Sequence, residues 1–136
     1  MKLLDGQRAL ITGAGSGIGK VMAQHFEKAG TRIWICDADT NNLVQSLKEN
    51  PDWNGTPCDV SKESQVGQLF KEMSDSFGGL EILVNNAGIA GPTALVEEID
   101  PDEWRRSVGV NLNGALYCTR FSTPLLKNSP KASIIN

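Results

Sequence analysis

At 136 residues the chain is the size of one domain, and 40% apolar with 21% charged residues is an ordinary globular composition. Thirteen basic against sixteen acidic side chains leave a net charge of −3, which gives no electrostatic reason for a nucleic acid or an anionic membrane as partner. Residues 1–6 meet an acid, Asp5, before any long apolar stretch, so neither a signal peptide nor a membrane span is expected.

In chain order, Ala9-Leu10-Ile11 opens as a short apolar run. A glycine-rich turn follows it, then a helical pattern carrying Ile18, Val21, Met22 and Ala29. His25, the only histidine, falls in that pattern and reads as a packing or rim residue, since no nucleophile lies near it in the chain. Ile33-Trp34-Ile35 is the second strand, and a weaker one is expected near Thr56-Pro57-Cys58. Val66, Leu69, Phe70, Met73 and Phe77 then form one apolar helical stripe, with Ser61 as its expected N-cap and Gly78-Gly79 as its stop. Ile82-Leu83-Val84 is the next strand. Asp100-Pro101-Asp102-Glu103 reads as an N-cap acid, a proline at the first helical position and acids in the first turn. That helix is expected to run through Trp104, Val108, Leu112 and Ala115, and Pro124 to bend or end it. Ile134-Ile135 is the fifth strand. The runs are continuous rather than alternating, as strands covered on both faces require. Strand and helix in alternation predict a doubly wound parallel α/β sheet, with ligands bound at the carboxyl ends of the strands.

Cys36, Cys58 and Cys118 are far apart, with no C-x-x-C or Cys/His cluster. No metal site is expected, and the three thiols read as reduced and mostly buried in a cytoplasmic protein.

The turn after the first strand is Thr12-Gly13-Ala14-Gly15-Ser16-Gly17-Ile18-Gly19. Its glycines let backbone approach a ligand closely, and the helix after it points free N–H groups and the positive end of its dipole at the same place. That suits a pyrophosphate. G-x-G-x-x-G is not met, because Ile18 or Lys20 falls at the last position, and Val21 after Gly19-Lys20 excludes a phosphate loop of the Walker kind.

As it stands, T-G-x-x-x-G-x-G over residues 12–19 resembles the short-chain dehydrogenase/reductase family. Asn85-Asn86-Ala87-Gly88 after the fourth strand, Asp59-Val60 after the weak third one, and Asn111 in the long helix match it in order and spacing. The resemblance implies a Rossmann-type fold, incomplete after the fifth strand, with residues 1–136 as the N-terminal portion of a single-domain enzyme. It implies hydride transfer between NAD and a small alcohol or carbonyl substrate. Gly13, Ser16, Gly17, Ile18 and Gly19 would then cradle the pyrophosphate. Asp59 would bind the adenine amine, Val60 would lend a backbone group, and Asn86, Ala87 and Gly88 would line the ribose side. Family members are commonly dimers or tetramers, so a homo-oligomer is expected, with residues 104–126 supplying part of the contact.

Asp37 ends the second strand, 18 residues beyond Gly19. A carboxylate there accepts ribose hydroxyls and repels a 2′-phosphate; two unit charges at about 4 Å interact by about 4 kcal/mol at an effective dielectric near 20. Relatives that use NADP often carry a basic residue before the second motif glycine, where this chain has Ser16. NAD is therefore the expected cofactor.

Asn111 lies seven residues from Trp104, within about 20° on a regular helix, so its amide is expected to face the sheet and to find backbone groups or an ordered water. By resemblance it is the catalytic asparagine that holds a water linked to the active-site lysine. The family's serine and Tyr-x-x-x-Lys pair are not in the sequence: Tyr117 is the only tyrosine, and Phe121 stands four residues after it. The 136 residues alone are expected to be inactive, and a non-catalytic NAD-binding module or an inactive truncated fragment is the alternative reading.

Overall fold

The computed structural model describes residues 2–136. Five parallel strands form one sheet in the order β3-β2-β1-β4-β5. They are β1 Arg8–Thr12, β2 Arg32–Asp37, β3 Asn54–Pro57, β4 Ile82–Val84 and β5 Ser133–Ile135. The helices are α1 Gly17–Lys28, α2 Thr40–Glu49, α3 Glu63–Phe77, α4 Pro101–Val108 and α5 Gly114–Leu126. Among the described residues no helix is long and apolar enough to cross a membrane.

The strand residues alternate between two cores. Ala9, Ile11, Ile33 and Ile35 pack on one face with Ala23 of α1 and Leu43 of α2. Leu10, Trp34 and Leu83 pack on the other with Val66, Leu69, Phe70 and Met73 of α3 and Cys118 and Leu126 of α5. β1, β2 and β4 thus need apolar residues at successive positions, which explains their continuous runs. Leu10 pairs with both Trp34 and Leu83, so β1 is the central strand, and the order of connection reverses between β1 and β4. β5 is an edge strand, with Ile134 and Ile135 each 40% exposed.

Gly78 ends α3 at φ 72°, a left-handed conformation that glycine favours, at the stop the sequence predicts. Three local expectations are corrected. β3 lies at Asn54–Pro57, leaving Cys58 past its end, where its N–H donates to Asp37 O at 3.1 Å. Lys62, not Ser61, holds the N-cap position of α3; the Ser61 hydroxyl donates instead to Asp59 Oδ1 at 2.7 Å, a stronger charge-assisted bond. Pro124 does not end α5 at its own position: the helix runs two residues further, to the buried Leu126.

The long helix also differs. Asp100 caps α4 by accepting from Asp102 N at 2.8 Å, with Pro101 next to it, as expected. Between α4 and α5, however, Gly109–Asn113 form a π-helical turn. The wider turn breaks the 3.6-residue period, so Trp104 no longer predicts where Asn111 points. The inward residues are Val110, Gly114, Cys118, Ser122 and Leu126, whereas Trp104 is 56% exposed. Gly114 is where α5 comes closest to the loop after β3; a Cβ there would lie 2.6 Å from Val60 Cγ2.

Candidate functional site

The reversal beside β1 brings the loops after β1 and β4 together. Thr12, 1% exposed, joins them. Its hydroxyl donates to Val84 O at 3.3 Å and accepts from Asn86 N and Ala87 N, each at 3.0 Å. That uses its one donor and both lone pairs. The Asn86 amide returns the link, donating to Thr12 O at 2.9 Å and Gly13 O at 3.2 Å.

Glycine is required at two points of this turn. Gly13 has φ 63°, and a Cβ on it would lie 2.8 Å from Ala87 Cα. A Cβ on Gly19 would press into the Asn86 amide and lie 2.8 Å from Gly13 O. Helix α1 then opens at Gly17. Ser16, its N-cap residue, makes no side-chain capping bond, and the first turn holds no acid. The first N–H groups of the helix therefore have no partner from the cap and carry the positive end of the dipole.

Asp37 stands across from this turn. Its Oδ2 accepts from Gly15 N and its Oδ1 from Asp39 N, both at 2.9 Å. Each oxygen keeps a further lone pair for a ligand hydroxyl. On the far side, Asp59 Oδ1 accepts from Ser61 N at 3.0 Å as well as from the Ser61 hydroxyl, and Arg106 Nη1 lies 3.4 Å from Oδ2. Burial pushes the Asp59 carboxyl up, but the Ser61 bonds and the Arg106 guanidinium together bring it below the usual carboxylate range. It is ionised at neutral pH.

These groups surround a cavity of about 260 Å³ at the carboxyl ends of the strands. Of the residues singled out in the sequence, Gly13, Ser16, Asp37, Asp59, Val60, Asn86, Ala87 and Gly88 line it. Gly19 packs behind the turn against Asn86, while Gly17 and Ile18 border a separate hollow on the outer side of α1. That hollow is larger, about 810 Å³, but its wall is mostly apolar, with Leu4, Val21, Met22 and Phe26 beside Lys20 and His25.

Asn111 does not face the sheet, and this corrects the orientation expected from a regular helix. It is exposed; its Oδ1 accepts from Ile89 N and its Nδ2 donates to Ile89 O, each at 2.8 Å. Backbone groups are its partners, but on the loop after β4. It borders a neighbouring hollow with Trp104 and Ser107 rather than the cavity itself.

The three thiols are all free and buried. A hydrogen bond with Cys58 and burial push Cys36 well up, and burial pushes Cys118 up to about 12. Neither is a thiolate at neutral pH. Sequence reasoning missed Arg106. No local signal pointed to it, because its contact with Asp59 spans 47 residues.

The model for the short chain dehydrogenase family matches residues 7–136. The chain belongs to that family. As a short-chain dehydrogenase it is 39% identical over 140 residues to a tropinone reductase homologue of Arabidopsis thaliana, a match covering 97% of this chain and 52% of the relative. It is 33% identical over 138 residues to a 3beta-hydroxysteroid dehydrogenase of Mediterraneibacter gnavus, covering 98% of this chain and 50% of the relative. Among solved structures, the 3-ketoacyl-(acyl-carrier-protein) reductase from Brucella melitensis complexed with NADH superposes with a TM-score of 0.87 at 39% identity, covering 92% of this chain and 52% of that one. The chain spans about half the length of the curated relatives it matches.

Proposed function

We propose that this chain holds the NAD site of an oxidoreductase that moves a hydride between the nicotinamide and a small alcohol or carbonyl substrate. The observation that carries this reading is the Asp37 carboxylate, bonded to Gly15 N at 2.9 Å, in the wall of a polar cavity beside the uncapped start of α1. Donors for a pyrophosphate on the turn after β1 and an acceptor for ribose hydroxyls at the end of β2 are tied together by that bond. The steric limits at Gly13 and Gly19 hold that turn close to Asn86 and Ala87.

The nicotinamide ring, when bound, gives or takes the hydride. The side chains of this chain bind and orient. The α1 N-terminal amides hold the diphosphate, and Asp37 holds the ribose and disfavours a 2′-phosphate. Asp59 Oδ2 meets the adenine amine, and Asn86, Ala87 and Gly88 form the wall on the β4 side. Asn111 acts as a positioning residue, fixing Ile89 of that wall through two bonds.

The unpaired, buried thiols suit a reducing compartment, so a cytoplasmic setting belongs to the same reading. So does a homo-oligomer. Trp104 on α4, Leu112 in the π turn and Leu116 on α5 are 56%, 66% and 61% exposed, apolar surface that a second copy would cover.

The test is titration of the chain with NADH and NADPH, followed by calorimetry. NADH is expected to bind about tenfold more tightly or better, a solvent-trimmed share of the charge repulsion. Equal affinities would reject the role given to Asp37.

A further inference from the structure

Arg106 is the only cation among the residues lining the cavity. It stands in the last turn of α4, one turn before the buried Val110. Its neighbour Arg105 pairs within the helix with Asp102 at 2.6 Å, both side chains being exposed. Arg106 reaches instead to Asp59, 47 residues away in sequence.

That pair is loose. A guanidinium matched to a carboxylate makes two parallel short bonds, as Arg8 and Glu81 do at 2.9 and 2.6 Å. Arg106 makes one contact of 3.4 Å, and among the described residues its other N–H groups have no partner. Asp59 Oδ1 is filled by the two Ser61 bonds, while Oδ2 has only Arg106. One end of the cavity therefore holds an acceptor oxygen, a flat cation and the apolar side chains of Val60 and Val110. An amino-bearing aromatic heterocycle fits that set: the oxygen suits its exocyclic N–H, and the guanidinium plane suits its ring face.

We propose that Arg106 is a nucleobase-binding residue, its guanidinium covering one face of an adenine whose amino group Asp59 holds. This rests on the reading of the cavity as the NAD site, and adds to it a residue and a mode of contact. A cation that touches the base and a cation that merely steadies Asp59 predict different couplings, which a double-mutant cycle separates.

The measurement is ADP-ribose affinity by calorimetry on the 136-residue chain. R106M, which keeps the stem and removes charge and plane, is expected to weaken binding about five- to tenfold with an unchanged thermal midpoint. The same fold-loss is expected in a D59N background. R106K is expected to recover only part of the loss, and R105M to bind as the unsubstituted chain does. A loss that vanishes in the D59N background would overturn the proposal, because Arg106 would then act only through Asp59. Full recovery by R106K would overturn it too, since charge without a plane would suffice. Unchanged binding by R106M would sink the proposal and leave the NAD reading standing. Failure of the unsubstituted chain to bind ADP-ribose would remove that reading itself.

Discussion

Asp37 Oδ2 and Gly15 N are joined by a 2.9 Å hydrogen bond, so the carboxylate that ends β2 is fixed to the turn that ends β1. The residue proposed to choose the cofactor also braces the loop proposed to hold its phosphates. Asp37→Asn keeps an acceptor for Gly15 and removes the charge. It is expected to narrow the preference for NADH over NADPH about tenfold or more while changing stability by about 1 kcal/mol or less. Titration of both nucleotides checks the first part and chemical denaturation the second. An unchanged ratio would mean that another group sets the preference.

Gly19 packs where no side chain fits. Gly19→Ala would force its Cβ against the Asn86 amide and to 2.8 Å from Gly13 O. Overpacking of this kind costs about 1–3 kcal/mol. Because the displaced atoms form the turn itself, nucleotide affinity should fall at least about tenfold, beyond what the stability change implies. Calorimetry at a temperature where the variant is folded measures it.

Asn111 fixes Ile89 through two bonds of 2.8 Å. Asn111→Ala should release the loop after β4 without unfolding the chain, since water can reach the exposed groups. The Ile89 amide should exchange with solvent about fivefold faster, for a net loss of about 1 kcal/mol. Hydrogen exchange by NMR reads this directly.

Arg8 and Glu81 make a bidentate pair at the opposite end of the sheet from the cavity, and Arg8 Nη1 also donates to Phe77 O at 2.9 Å. The hydrogen bond from Arg8 holds the Glu81 carboxyl below its ordinary value, against the opposing effect of burial. Its contribution is therefore full above the unfolded glutamate value, near 4.3, and is lost as pH falls through the lower folded value. Glu81→Gln should cost about 2 kcal/mol at pH 7 and progressively less below about pH 4. Denaturation curves across that range test it, and NADH affinity at pH 7 should not change.

Tyr117, the one tyrosine, packs against the core beside α3 and lacks a lysine four residues on. The 136 residues are therefore expected to bind NADH and to show no steady-state oxidation of it with carbonyl substrates. Measurable turnover would contradict that expectation.

The fold was legible because the sheet is covered on both sides. Ile33-Trp34-Ile35 and Ile82-Leu83-Val84 have no other simple reading, and both are strands. The turn from Gly13 to Gly19 was legible because close approach admits only glycine at those points. Helix α2 was not singled out: Leu43 and Ser46 are the residues it buries, too few for a clear stripe. The π turn was illegible because a 3.6-residue period assumes the very regularity it breaks, and Asn111 was turned the wrong way for that reason. The Asp59–Arg106 pair joins residues 47 apart through the packing of α4, which no local pattern encodes.

The most direct test is an NMR titration of the isotopically labelled chain with NADH. Amide shifts should concentrate at Gly15, Ser16, Gly17, Ile18 and Gly19, with Asp37, Ala38 and Asp59 following at the same ligand concentration. Shifts confined to the apolar hollow around Val21, Met22 and Phe26, with the glycine turn and Asp37 unmoved, would contradict the account.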